Sequence, residues 1–340
     1  MPPRAEVTPR LLQRVCYDLL ARGPTDAERR SYLGADVATL VERLVRSREA
    51  MTEWFEEQLF YFLLLDRFRP GGESIERIPA RLQKGELDAR AATMEILLST
   101  GFSLRNPGND TFVTVALEQC LGYRVQDKAT LPILEAGKKA YDGKKAKFLG
   151  AEASSQSDVV KAVLTHVDFT RALLERHRIR LLGEGLPKDA PEVSRVHQDM
   201  AQFFVVLGEW ITSADYAAAL STRRRKSERQ FLRGIYNDLL GRAPSLDELR
   251  NLRNAMTAMA DPAPLRSVLA KVILDSPHCK LPERAQGEDA AFVDGCFLRY
   301  LAREPQEKER AAFVGAMTQK GASPQQIVRA IVGSLEYQTY

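Results

Sequence analysis

The side chains best suited to hold a metal or act as nucleophiles are four histidines and four cysteines, and their spacing limits what they can do. His166, His177, His197 and His278 form neither an H-x-x-x-H nor an H-E-x-x-H pattern, the spacings that put two imidazoles on one helical face. Cys16, Cys120, Cys279 and Cys296 are scattered without a C-x-x-C pair, which argues against a zinc knuckle, a disulfide framework or haem attachment. They read as small core hydrophobes. The neighbours His278 and Cys279 lack the second pair a structural metal needs. No nucleophile elbow, P-loop or G-x-G-x-x-G appears, and Gly71-Gly72 and Gly183-Glu184-Gly185 read as turns. Catalytic, metal and cofactor residues are therefore expected to be none. An enzyme would need a site assembled from distant residues, with Asp66, Arg67 and Glu73 as its nearest titratable set.

A second pattern is built from charge and turn chemistry. Arg22, Pro24 and Glu28 recur as Arg242, Pro244 and Glu248, and again as Arg303, Pro305 and Glu309. In each, Pro follows Arg by two residues and Glu follows Pro by four. Thr25 or Ser245 with Glu three residues on makes a capping box, Pro cannot continue the preceding helix, and Gly241 is suited to end it. Gln306 is the weaker cap of the third copy. The Arg and Glu are spaced to clamp the turn between two helices, which outweighs reading the arginines as a docking site for an acidic partner.

Basic runs at Lys138-Lys139, Lys144-Lys145-Ala146-Lys147 and Arg223-Arg224-Arg225-Lys226 could meet phosphates or an anionic surface. Without interleaved aromatics they read as solvated loops, and a net charge of +4 over 340 residues argues against a nucleic-acid partner. Trp54, Phe55, Phe60, Tyr61 and Phe62 read as core, with Tyr61, Phe62 and Phe68 the candidates for an apolar interface patch beside Arg223, Arg224, Arg225 and Lys226.

The elements that position these residues are helices. Apolar residues recur at helical spacing, as in Leu11, Leu12, Val15, Leu19 and in Phe231, Leu232, Ile235, Leu239, while strand-like alternation is scarce. The fold class expected is all-α. The Arg-Pro-Glu sets end three aligned heads, Tyr17-Asp18-Leu19-Leu20, Asn237-Asp238-Leu239-Leu240 and Leu298-Arg299-Tyr300-Leu301. A fourth head beginning at Phe112 keeps Leu121-Gly122 but has lost the Arg and Pro. Tails of the type Ser334-Leu335-Glu336-Tyr337 and Ser213-Ala214-Asp215-Tyr216 have looser versions at Ser47, Ser99, His166 and Ser276. Six tails imply six units of roughly 50 to 60 residues. The expected division is an N-terminal helical domain at 1–222, with a Lys-rich insertion near 138–156, and a C-terminal one at 223–340.

These heads and tails resemble a bacterial domain family of unknown function related to phycobilisome linker domains, marked by Leu-Leu-Gly-Arg-x-Pro and Ser-x-Glu-Tyr. Residues 231–277 and 292–340 carry the resemblance most clearly, and the stretch 81–90 is similar to the central part of a linker domain. The resemblance implies a non-catalytic α-helical scaffold that holds partner proteins, or copies of itself, in an assembly without a cofactor. The alternatives are an enzyme with an unrecognised site and a basic-loop binder of nucleic acid or an anionic surface. The N-terminus lacks the apolar run of a secretory signal, so a cytoplasmic location is expected, with no transmembrane segment.

Overall fold

The computed structural model describes residues 6–64, 69–285 and 287–340. Phe68, Asp66 and Arg67 lie outside them. The fold is all-α, with a single two-stranded ribbon among the described residues. No helix there is long and apolar enough to cross a membrane.

The chain divides into two compact units, and the division is not the one expected at residue 222. One unit is Glu42–Tyr216; the other joins Met1–Val41 to Ala217–Tyr340. The correction has a physical reason. The first head helix, Pro9–Leu20, buries ten of its twelve residues, and it is hydrogen-bonded to Thr222, Gln230, Arg233, Tyr300 and Tyr340.

In that discontinuous unit three head helices, Pro9–Leu20, Glu228–Leu240 and Asp289–Leu301, meet. Gln230 donates through Nε2 to the Tyr17 carbonyl at 3.2 Å, Arg233 through Nε to that of Leu20 at 3.2 Å, and Gln13 through Nε2 to that of Tyr300 at 3.4 Å. The apolar filling is Leu12, Val15, Leu232, Ile235, Val293 and Cys296, each fully out of water. Burial of this kind is worth about 1.5–3 kcal/mol per large aliphatic side chain, enough to fix the helices against one another. Each head ends on a residue in left-handed conformation, Ala21 at φ 53°, Gly241 at 65° and Ala302 at 54°. Only the second copy has the residue that adopts it without strain.

The unit Glu42–Tyr216 is organised by the helix Arg48–Leu63, which buries Trp54, Phe55, Leu59 and Phe62. Around it run Ile78–Gln83, Ala89–Leu97 and Thr100–Arg105. Phe62, Phe102, Phe112 and Tyr141 form a series of ring contacts with centroids 5.2–6.4 Å apart. The 138–156 segment, expected as a Lys-rich loop, is ordered. Lys138 and Lys139 belong to the helix Leu131–Tyr141, and strands β1 (Ala146–Phe148) and β2 (Ala151–Ala153) pair antiparallel with Phe148 opposite Ala151. Phe148 is fully buried against Gly137, where a β-carbon would stand 2.8 Å from its ring and 2.6 Å from Val113. The ribbon carries that ring into the interior.

The tail serine closes the turn that follows a helix. Ser99, Ser213 and Ser334 each accept from the backbone N–H three residues on at 3.2 Å, while their hydroxyls donate back to the carbonyl three residues before at 2.6–2.7 Å. At the same place His166 uses ring Nδ1, which accepts from Asp168 N at 3.3 Å. At Ser99 and Ser213 one oxygen therefore joins the end of one helix to the start of the next, while Ser334 ties the end of Pro324–Val332 to the turn that follows it.

Candidate functional site

The three head turns close in one way. Arg22 Nη1 and Nη2 donate to Glu28 at 2.8 and 3.0 Å, Arg242 to Glu248 at 2.8 and 2.8 Å, and Arg303 to Glu309 at 2.7 and 2.8 Å. In each copy Nη1 also donates to the carbonyl of the next residue at 3.0 Å, and the carboxylate accepts the cap residue's backbone N–H at 2.7–2.8 Å. The planar guanidinium thus spans the turn and the first helical residues after it, with Pro24, Pro244 or Pro305 at the bend. Arg242 beside Glu248, and Arg303 beside Glu309, hold both carboxyls down at about 2. For Glu28 burial acts upward, but the Arg22 guanidinium and the Thr25 hydrogen bonds together outweigh it and the carboxyl stays below its usual range.

The third clamp reaches further. Arg303 donates to Glu336 through Nε and Nη2 at 2.7 Å each, and Arg223 pairs with the same carboxylate at 2.7 Å. Arg223 also donates to the Leu301 carbonyl at 3.3 Å. The acidic residue of the Ser-x-Glu-Tyr tail is therefore a bridge within the unit.

The run 223–226 is not the solvated basic connector expected of it. Arg224 N donates to the Tyr340 carbonyl and Tyr340 N to that of Arg224, both at 2.9 Å, and Lys226 N donates to Gln338 at 2.9 Å. This pairing turns alternate side chains inward. Lys226 is 1% exposed, Arg223 and Arg224 are half-buried, and only Arg225 is exposed, where it pairs with Asp261 at 3.2 Å. The interface assignment of Lys226 is corrected accordingly. Phe62, also a candidate for an interface patch, is wholly buried. Tyr61 is half-buried, its hydroxyl donating to the Gln119 carbonyl at 3.0 Å and its ring covered by the Arg176 guanidinium at 3.9 Å.

A buried polar centre in the discontinuous unit went unread in the sequence. Asp18 accepts Arg14 Nε and the Tyr340 hydroxyl, both at 2.9 Å; at the equivalent place in the second head, Asp238 accepts the Tyr337 hydroxyl at 2.9 Å. Lys226 Nζ lies 3.9 Å from the Tyr337 ring centre and 4.5 Å from that of Tyr17. The third head has Arg299 where the others have Asp. Its guanidinium reaches Asp26 at 2.8 and 2.7 Å, and Arg29 donates to its carbonyl at 2.8 Å. The available signal was the repeated Asp-Leu-Leu within the chain, which placed two carboxylates alike.

Two surface features lie apart from these networks. The helix Ala263–Leu274 presents Val268 and Val272, one turn apart and 56% and 61% exposed. In the unit Glu42–Tyr216 a cleft of about 450 Å³ is lined by Met51, Leu82, Lys84, Asp88, Met200 and Phe204, among others. His177 is a core residue, with ring Nδ1 2.9 Å from the Leu173 carbonyl and burial holding its pKa well below the usual value. Among the described residues no three His, Cys, Asp or Glu side chains converge as a metal site would require. Comparison of the chain with family models, curated proteins and solved structures finds no match.

Proposed function

We propose that this chain is a non-catalytic α-helical adaptor that holds partner proteins, or further copies of itself, in an assembly in the cytoplasm. The observation that carries this reading is one helical corner built three times, with its charged residues engaged internally, together with two valines left outward beside Ser267 and Lys271 on one helix. Arg22, Arg242 and Arg303 all point into their own turns. Val268 and Val272 stand in water on the helix Ala263–Leu274, the geometry by which a helix face meets another apolar surface. The resemblance of the heads and tails to phycobilisome linker domains supports the same reading.

Affinity purification of the tagged chain from its native host, with mass spectrometry and light scattering on the eluate, tests it. A stoichiometric assembly that is lost in the Val268→Asp, Val272→Asp variant is expected. A lone monomer with the same eluate for both proteins would refute the proposal. The reading of 223–226 as a binder of nucleic acid or anionic surfaces is not carried forward, because Lys226 is buried and Arg223 and Arg225 are paired with Glu336 and Asp261.

A further inference from the structure

Lys226 is the one residue of the connector whose side chain enters the core, and its surroundings are unusual for an ammonium. The side chain is 1% exposed, and Nζ has no hydrogen-bond partner. It is boxed by the ring faces of Tyr337, at 3.9 Å, and Tyr17, at 4.5 Å. The one carboxylate acting on it, that of Asp238, already accepts the Tyr337 hydroxyl at 2.9 Å. Arg266 and Arg223, the other charged groups facing it, are cations and oppose its protonation. A neutral amine in such a box loses less hydration than an ammonium, which keeps only the attraction of two rings and forgoes the stronger hydrogen bonds it has in water.

The backbone on which this side chain sits is a short antiparallel clasp. Arg224 and Tyr340 exchange both of their backbone hydrogen bonds, Lys226 N–H donates to Gln338, and Arg225 pairs with Thr339 as an isolated bridge. Tyr337 and Tyr340, on the far strand, are the residues whose hydroxyls reach Asp238 and Asp18. Any outward movement of Lys226 toward water therefore pulls on the strand that plugs the core between the first and second head helices.

We propose that Lys226 makes the pairing of residues 224–226 with 338–340 a pH-responsive clasp, closed when the amine is neutral and loosened when it takes up a proton. Burial is the main cause holding the amine at about 7 rather than the ordinary lysine value, so the change falls on the alkaline side of neutrality. The sign follows from proton counting. Between about 7 and the ordinary value the opened clasp, with Lys226 in water, binds more protons than the closed one, so raising the pH favours closure and lowering it favours opening. Below about 7 both forms are protonated and the effect levels off.

Hydrogen exchange on the full-length chain measures this directly at the amides of Arg224, Lys226 and Tyr340, with buried amides of the unit Glu42–Tyr216 as internal reference. After correction for intrinsic exchange, protection of the three amides should rise by up to about tenfold per pH unit from pH 7 to 9 in the wild type. It should be nearly flat in Lys226→Met. Equal slopes in the two proteins, or none in the wild type, would overturn the proposal. Should Lys226→Met not fold, lysine side-chain NMR of the wild type gives the answer alone, the signal being assigned through Lys226→Arg. A midpoint for Lys226 well below the other lysines supports the clasp, and one among them refutes it.

Discussion

Arg303 and Arg242 hold the same place in two copies of one turn, yet their surroundings differ. Arg303 serves Glu309 and Glu336 together, with every partner side chain about one-third exposed or less, whereas Arg242 serves Glu248 alone and is half in water. Arg303→Ala should cost about 2 kcal/mol, because it leaves Glu336 with Arg223 alone, and Arg242→Ala under about 1 kcal/mol. Urea unfolding of the two variants, read in the discontinuous unit, checks the ranking; equal losses would mean that Glu336 adds nothing. The same carboxylates set an acid limit. Glu248 and Glu309 titrate lower in the folded chain than unfolded, so what they contribute is present above the ordinary glutamate range and is lost as pH falls through about 2. Stability followed from pH 6 to 2 should therefore decline from about pH 5 downward, and less steeply in a Glu248→Gln, Glu309→Gln protein. The clamps were legible in the sequence because Arg, Pro and Glu lie within seven residues and each acts on its own turn. The Asp18 and Tyr340 pair was not, since the two residues are 322 positions apart and neither announces the other.

At the scale of elements, the head-and-tail corners and the ribbon are both built from contiguous residues, but only the corners carry the usual turn signals. A hairpin is usually signalled by Asn-Gly or Asp-Gly, but here the turn is Leu149-Gly150, with Leu149 at φ 49° and Gly150 at 84°. Strands of three residues among lysines read as a loop for want of that signal. Leucine in the left-handed region is strained, so Leu149→Gly or Leu149→Asn should leave the ribbon as stable or up to about 1 kcal/mol more so. Gly137→Ala should have the opposite effect. Its methyl would collide with Phe148 and Val113, both in the interior, at a cost of about 1–3 kcal/mol. Thermal unfolding of the unit Glu42–Tyr216 distinguishes the two substitutions, and a neutral Gly137→Ala would show that the Phe148 pocket is looser than its distances imply. The expected boundary at residue 222 failed for a related reason. Helical periodicity shows that Pro9–Leu20 has an apolar face but carries no information on which distant helix covers it.

At the scale of the whole molecule, the unit Glu42–Tyr216 is an insertion in the sequence of the other. A fragment holding only 42–216 keeps all of its own core and should give a cooperative transition by itself. A fragment holding only 217–340 lacks Leu12, Val15, Tyr17 and Asp18, and should be molten until a peptide covering 6–41 is added. Circular dichroism of the two fragments, with and without the peptide, tests this; a natively packed 217–340 alone would show the first head helix to be dispensable. The same discontinuity governs the order of events during synthesis. At 5–20 residues per second, roughly 10 to 35 s separate the emergence of residue 41 from that of residue 217. Through that interval the first head helix waits with its apolar face uncovered, while the inserted unit completes its own fold. The segment 6–41 is thus exposed to aggregation through that interval, and a chaperone would have most to protect there.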